Sequence, residues 1–242
     1  MATNHSEGTW PLARDYEDFH RMSVTRFVES IAPRVPEGAV IVDAGAGEAW
    51  YKPLFVHSRY LALDYAVGDR TWDYSKLDCV CDLHAIPLKT DSVPFVLCTQ
   101  TLEHVQRPQV VLSELNRILC PGGTVFCSLP FIGDAHHQEP YDYFRYTRYG
   151  IEYLFKSAGF AEVQITPIGG YHTLLVSLVQ KGIYRCVERV AGRPWFVRIP
   201  LRYALRLLLL VMRWTNRLAW GRDRKDPDRY RYAMGFTVIA RK

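Results

Sequence analysis

Long apolar runs are missing from this sequence. None reaches the roughly 18–20 residues that a membrane-crossing helix needs. The polar N-terminal stretch has no apolar core of a secretion signal. A disulfide framework is missing too. The six cysteines, at 79, 81, 98, 120, 127 and 186, are scattered, and Cys98 and Cys127 sit inside apolar, strand-like runs. That pattern suits free buried thiols in a reducing compartment. Cys79, Cys81 and His84 lie close together, but no second ligand pair follows at zinc spacing, so no metal is expected. Repeats and low-complexity tracts are absent. The formal charge of +5 is too small to point by itself to nucleic acid. What remains is a cytoplasmic chain of 242 residues, 48% apolar, with enough apolar surface to bury one large core.

Strands and helices alternate along most of the chain. Residues 1–14 read as a loose leader. Phe19, Met22, Phe27 and Ile31 fall near one face of a helix from about Asp15 to Ala32, and Pro33 follows. Ala39 to Asp43 and Tyr60 to Asp64 are short apolar runs that each end in an acid, as buried parallel strands do. Leu77 to Cys81, ending at Asp82, and Val93 to Thr99 read as the next two. A helix is expected around Trp50 to Val56, another over 108–119, then a stop and turn at Pro121, Gly122 and Gly123. Thr124 to Leu129 reads as a fifth strand, Thr147 to Ala158 as a helix closed by Gly159, 160–167 as a sixth strand and Gly235 to Arg241 as the last. This order predicts an α/β fold with a doubly wound, mostly parallel sheet. Residues 171–222, rich in Leu and Arg, break the alternation and read as a helical insertion before the last strand.

In open α/β sheets, ligands bind beyond the carboxyl ends of the strands. Asp43, Asp64, Asp82, Thr99 and Gln100 stand at such ends. Gly45 and Gly47 follow the first strand, where the lack of a Cβ lets a ligand approach the backbone. Asp64, 17 residues after Gly47, is placed to accept hydrogen bonds from ribose hydroxyls. Nicotinamide dinucleotide and S-adenosylmethionine both suit that much. A dinucleotide turn requires a third small residue where Trp50 stands. An acid at Asp43 suits the amino group of a methionine moiety.

These residues resemble the class I S-adenosylmethionine-dependent methyltransferases, in particular the small-molecule, glycan and lipid branch. The resemblance covers roughly 38–165 and the last strand. The run from Asp43 to Gly47 resembles the family's glycine-rich motif, Asp64 its ribose-binding acid, and Asp82 with Leu83 its adenine-binding pair. Phe95 to Val105 is similar to the fourth-strand motif beside the sulfonium. Glu114 to Gly123 is similar to the helix and turn before the fifth strand. Pro94 stands where the family often carries an Asp, which alters a turn. The resemblance implies a Rossmann-like methyltransferase fold with seven strands and S-adenosylmethionine as cofactor. The whole of 1–242 is then one domain, with an N-terminal helix at 15–33, a cofactor-binding core at 38–168, the insertion at 171–222 and a final strand at 232–241.

The acceptor side is expected in 130–149, a segment that follows the fifth strand and is dense in His, Tyr, Asp and Arg. His137, then His136, is the expected general base, because histidine titrates near neutrality. Tyr141, Tyr143, Arg145 and Tyr146 are the expected acceptor contacts. Alternatively the segment is a structural lid in which Arg145 pairs with Asp142. Glu103 and His104 are read as orienting the loop and the next helix. Arg198, Arg202, Arg206, Arg213 and Arg217 line one helical face, with Leu201, Leu205, Leu208, Leu209 and Met212 on the rest and Trp195, Trp214 and Trp220 near the ends. Membrane-surface contact through 195–220, a cap on the core and a dimer interface all fit. The expected reaction is methyl transfer, at oxygen, to a small-molecule or lipid-linked acceptor, with nucleic acid disfavoured. The rivals are a nicotinamide-dependent oxidoreductase and a catalytically silent scaffold.

Overall fold

A computed structural model describes residues 19–68, 71–133, 140–191, 204, 208, 211–212 and 214–242. They fall into two compact units. One is Ser23–Ile168 with Met234–Lys242; the other takes in Phe19–Met22 and the described residues of Gly169–Ala233.

The first unit holds the whole sheet. Its strands are β1 (Val40–Ala44), β2 (Arg59–Asp64), β3 (Cys79–Val80), β4 (Val93–Thr99), β5 (Leu119–Pro130), β6 (Glu162–Ile168) and β7 (Gly235–Arg241). They lie in the order β3-β2-β1-β4-β5-β7-β6. β1 to β5 pair in parallel, whereas β7 slots antiparallel between β5 and β6. The sheet is therefore the mostly parallel, seven-stranded one expected. Its first crossing point, where the order turns from β1 to β4, gathers the carboxyl ends of β1, β2 and β4 at one edge.

Both faces of the sheet are buried at its centre. On one, helix α1 (Phe19–Ile31) lays Val28 and Ile31 against Ile41, Ala62, Leu97 and Phe126. Strand side chains alternate between faces, so Val96, Cys98, Val125 and Cys127 line the other, all fully buried. Helices α2 (Pro108–Ile118) and α3 (Arg148–Ser157) pack on each other and on β5 and β6. Thr147 caps α3 by accepting the Gly150 N–H at 3.1 Å.

Three local expectations are corrected. No α-helix forms around Trp50 to Val56; only a 3-10 turn, Lys52–Phe55, does. Pro53 has no N–H to donate, and Ala49 sits at φ 54, outside the helical region. The third strand shrinks to Cys79 and Val80. Pro121, Gly122 and Gly123 do not leave the sheet; they form a bulge inside β5. Val93 pairs with Leu119 but Phe95 with Thr124, so four residues on β5 answer Pro94 alone on β4. A Cβ on Gly123 would stand 2.8 Å from the Cys120 carbonyl and 3.1 Å from that of Pro94, so only glycine fits the fold-back.

The second unit contains α4 (Tyr171–Ala191), a helical segment α5 whose continuous part is 214–223, and a 3-10 turn, Arg229–Tyr232. Of the Arg and Leu stripe over 195–217, only Leu208, Met212, Trp214 and Arg217 lie among the described residues.

Candidate active site

The glycine turn after β1 is held from three sides. Asp43 is fully buried, and the Tyr60 hydroxyl donates to its Oδ2. Tyr60 reaches it because Tyr60 and Ala62 on β2 lie beside Ile41 and Asp43 on β1, on the same face. The other carboxylate oxygen, Oδ1, is buried and takes no hydrogen bond from the described residues. Burial pushes the Asp43 carboxyl up to about 7, against the lowering effect of the Tyr60 hydrogen bond. Gly45 and Ala46 donate their N–H groups to the Leu63 carbonyl, at 2.8 and 3.0 Å. The Gly47 N–H donates to Asp64 Oδ2 at 2.9 Å.

Gly45 is required by a neighbour as well as by its φ of +87. A Cβ there would fall 2.2 Å from Thr101 Cγ2. Thr101, just beyond β4, thus occupies the space beside the turn, and its hydroxyl donates to the Thr99 carbonyl at 3.0 Å. Nothing in the spacing of the glycines points to Thr101.

Asp64 ends β2 with each oxygen already accepting one N–H, Oδ2 from Gly47 and Oδ1 from Ala66. A carboxylate offers about four acceptor positions, so two remain for hydroxyl donors. Trp72 closes this side, its ring 3.4 Å from where a Gly47 Cβ would stand. Trp72 escaped the sequence reading, because only the fold brings it to the turn. Trp50, by contrast, points out, 65% exposed, with its indole N–H on Glu48. Asp82 Oδ1 accepts both the backbone N–H and the Nδ1 of His84, at 2.9 and 2.6 Å; these contacts, the backbone one first, hold its carboxyl below the ordinary range. Leu83 beside it is buried.

The β4 end carries the last part of the site. Gln100 adopts φ 50 and ties β4 to β5, its backbone N–H on the Ser128 carbonyl and its side-chain amide on Ser128 Oγ. A 3-10 turn, Leu102–His104, follows. The segment after β5 is clasped to this turn. Tyr143 and Phe144 donate their N–H groups to the Glu103 carbonyl, at 2.8 and 3.3 Å. His104 Nδ1 lies 2.5 Å from the Tyr141 carbonyl, and the Tyr146 hydroxyl donates to the Leu102 carbonyl at 2.7 Å. Tyr146 is buried, whereas Tyr141 and Tyr143 remain exposed. Arg145 forks onto both oxygens of Asp142, at 2.6 and 2.7 Å. His136 and His137 lie outside the described residues. Glu103 is fully buried with Oε2 unmet among the described residues, and burial pushes its carboxyl up to about 8.

The orphaned Asp43 oxygen, the spare acceptor positions on Asp64 and the tight glycine turn fit an amino-acid cation at one end and a ribose at the other. Residues 42–127 match the methyltransferase-domain family profile, and they include every one of these groups. Over residues 42–127 the chain carries a methyltransferase domain. Solved structures agree with its fold. A methyltransferase in complex with the Trm112 methyltransferase activator of Haloferax volcanii is similar at TM-score 0.55 and 21% identity, over 95% of this chain and 92% of that one. An S-adenosylmethionine-dependent methyltransferase from Archaeoglobus fulgidus is similar at 0.57 and 12%, over 92% and 94%. Phosphoethanolamine N-methyltransferase 2 of Haemonchus contortus, in complex with S-adenosyl-L-methionine, is similar at 0.51 and 15%, over 89% of this chain and 52% of that one. No curated relative matches. In this methyltransferase, S-adenosylmethionine is the cofactor. Asp43 is suited to its amino group and Asp64 to its ribose.

Proposed function

We propose that this methyltransferase moves the methyl group to an oxygen of a small-molecule acceptor, either free or carried on a lipid or glycan. The clasp between the turn after β4 and residues 141–146 carries the proposal. It pins the segment that follows β5 at the end of β4, alongside the glycine turn. Bound S-adenosylmethionine supplies a methyl carbon on a sulfonium, a good leaving group. The protein's part is then to align an acceptor oxygen behind that carbon and to receive its proton. Alignment supplies about 7–11 kcal/mol of barrier reduction and a positioned base about 10²–10⁴-fold.

In this reading, exposed Tyr141 and Tyr143 touch the acceptor. Tyr146, its hydroxyl held by Leu102, positions them. Arg145 meets an acidic acceptor only by releasing Asp142. His137, or His136 beside it, takes the proton. The reaction runs in the cytoplasm, with contact at the inner membrane face through 195–220. Free thiols at Cys79, Cys81, Cys98, Cys120 and Cys127 agree with a reducing compartment. The test is a turnover assay with labelled S-adenosylmethionine across hydroxylated acceptors. His137→Ala is expected to lower kcat about 10²–10⁴-fold while leaving cofactor affinity unchanged. Cofactor binding without turnover on any acceptor, and no effect of His137→Ala, would favour a silent cofactor-binding scaffold.

A further inference from the structure

The unit containing Gly169–Ala233 wears its helices inside out. On α4, Thr173, Ser177 and Gln180 are buried, four and three residues apart on one face. Tyr171, Leu175, Leu178 and Val179 lie on the opposite face, each 48–53% exposed. α5 repeats the pattern. Asn216 and Asp223 are buried alongside Met212 and Ala219, while Val211, Trp214 and Leu218 are exposed by 52, 67 and 55%. The polar interior is put to use: Asp223 accepts from the N–H groups of His172 and Thr173, at 3.1 and 2.8 Å, and from the Thr173 hydroxyl. A helix facing water turns its apolar stripe inward. Here each of the two helices turns apolar side chains outward, and exposed apolar faces of that kind mark an interaction surface.

Charge says what covers it. Residues 169–233 hold 14 Lys and Arg against 4 Asp and Glu, a net +10. The whole chain is +5, so the remainder is −5. Arg217, Arg222, Arg224 and Lys225 are exposed in and just after α5, next to Trp214 and Leu218. No helix of the described residues is long and apolar enough to cross a membrane.

We propose that the outward faces of α4 and α5 lie in the headgroup layer of an anionic lipid bilayer, with both helices in the plane of the surface. The proposal rests on the peripheral-membrane reading above. It adds the lipid charge class and extends the contact to α4. Leucines and Val179 enter the acyl boundary, Tyr171 and Trp214 sit at headgroup depth, and the arginines meet lipid phosphates.

The test is flotation of the full chain with vesicles of phosphatidylcholine alone and of phosphatidylcholine mixed with phosphatidylglycerol. Two surface pairs serve as variants, Leu175→Ser with Leu178→Ser and Arg222→Glu with Arg224→Glu. Cofactor titration and light scattering are run on every sample. The chain is expected to float with the mixed vesicles only. The leucine pair should weaken binding on the order of a hundredfold, and the arginine pair by more than about tenfold. Cofactor affinity should stay unchanged in both. Absence of flotation with mixed vesicles, flotation indifferent to both pairs, or a dimer that the leucine pair dissolves would each overturn the proposal. A wild-type chain that floats but binds no S-adenosylmethionine would instead sink the methyltransferase reading and leave the lipid surface standing.

Discussion

A carboxyl group with one oxygen held by Tyr60 and the other unmet among the described residues changes protonation when a cation arrives beside it. Asp43 is raised from 3.8 to about 7 by burial. The empty fold is therefore favoured with Asp43 protonated; this contribution is fully present below the unfolded value and is lost as pH rises through about 7. A cofactor ammonium reverses the balance and draws the proton off. Calorimetric titration below pH 7, in buffers of different ionisation enthalpy, should show a proton released on binding, with affinity falling as pH falls. Asp43→Asn should remove that pH dependence and weaken binding roughly 10–150-fold, the worth of a hydrogen bond to a charged group. An unchanged proton count in the variant would assign the release to another residue. Glu103, raised from 4.5 to about 8 by burial, has the same sign. Its contribution is fully present below 4.5 and is lost as pH rises from there through about 8, so Tm should drop across that window. Glu103→Gln should flatten that drop, regaining about 2–4 °C for each kcal/mol recovered. Gly45→Ala tests the close approach of Thr101: it should cost at least about 1–3 kcal/mol in urea unfolding. Thr101→Gly should recover part of that loss, and the remainder belongs to the positive φ. If Thr101→Gly recovers nothing, the contact is not what requires glycine.

At the scale of elements, what could be read ahead depended on whether a signal was local. β1, β2, β4 and β7 were legible because each is a short apolar run, and the first two end in the acids of the site. The β5 bulge was not legible, because a Pro-Gly-Gly run stops most strands. Here Pro94 on the neighbouring strand, with no N–H of its own, leaves room for the extra residues. The helix expected near Trp50 failed at Pro53 and at Ala49. Asp43, Gly45, Gly47 and Asp64 stood out by spacing. Thr101, Trp72 and the clasp on Glu103 arise from sheet order and could not. The α4 cap is another long-range feature, since Asp223 comes from the far end of the unit. Hydrogen bonds from Thr173 and His172 outweigh its burial and lower its carboxyl below 3.8. Its support is present above 3.8 and is lost as pH falls below that. Asp223→Ala should destabilise α4 by about 1–3 kcal/mol, seen as faster proteolysis within 171–191. Unchanged proteolysis would show that the cap does not hold the helix.

For the whole molecule, charge and chemistry divide along the same line. The sheet unit carries the glycine turn and its acids, and the Gly169–Ala233 stretch carries the surplus of cations. The family assignment concerns the first alone, since the matched residues are 42–127. Calorimetric titration of the purified chain with S-adenosylmethionine, S-adenosylhomocysteine and NAD, alongside Asp64→Ala, tests that assignment most directly. Binding of both sulfur compounds, none of NAD, and a clear loss in Asp64→Ala is the expected result. NAD binding tighter than S-adenosylmethionine, or S-adenosylmethionine binding untouched by Asp64→Ala, would contradict it.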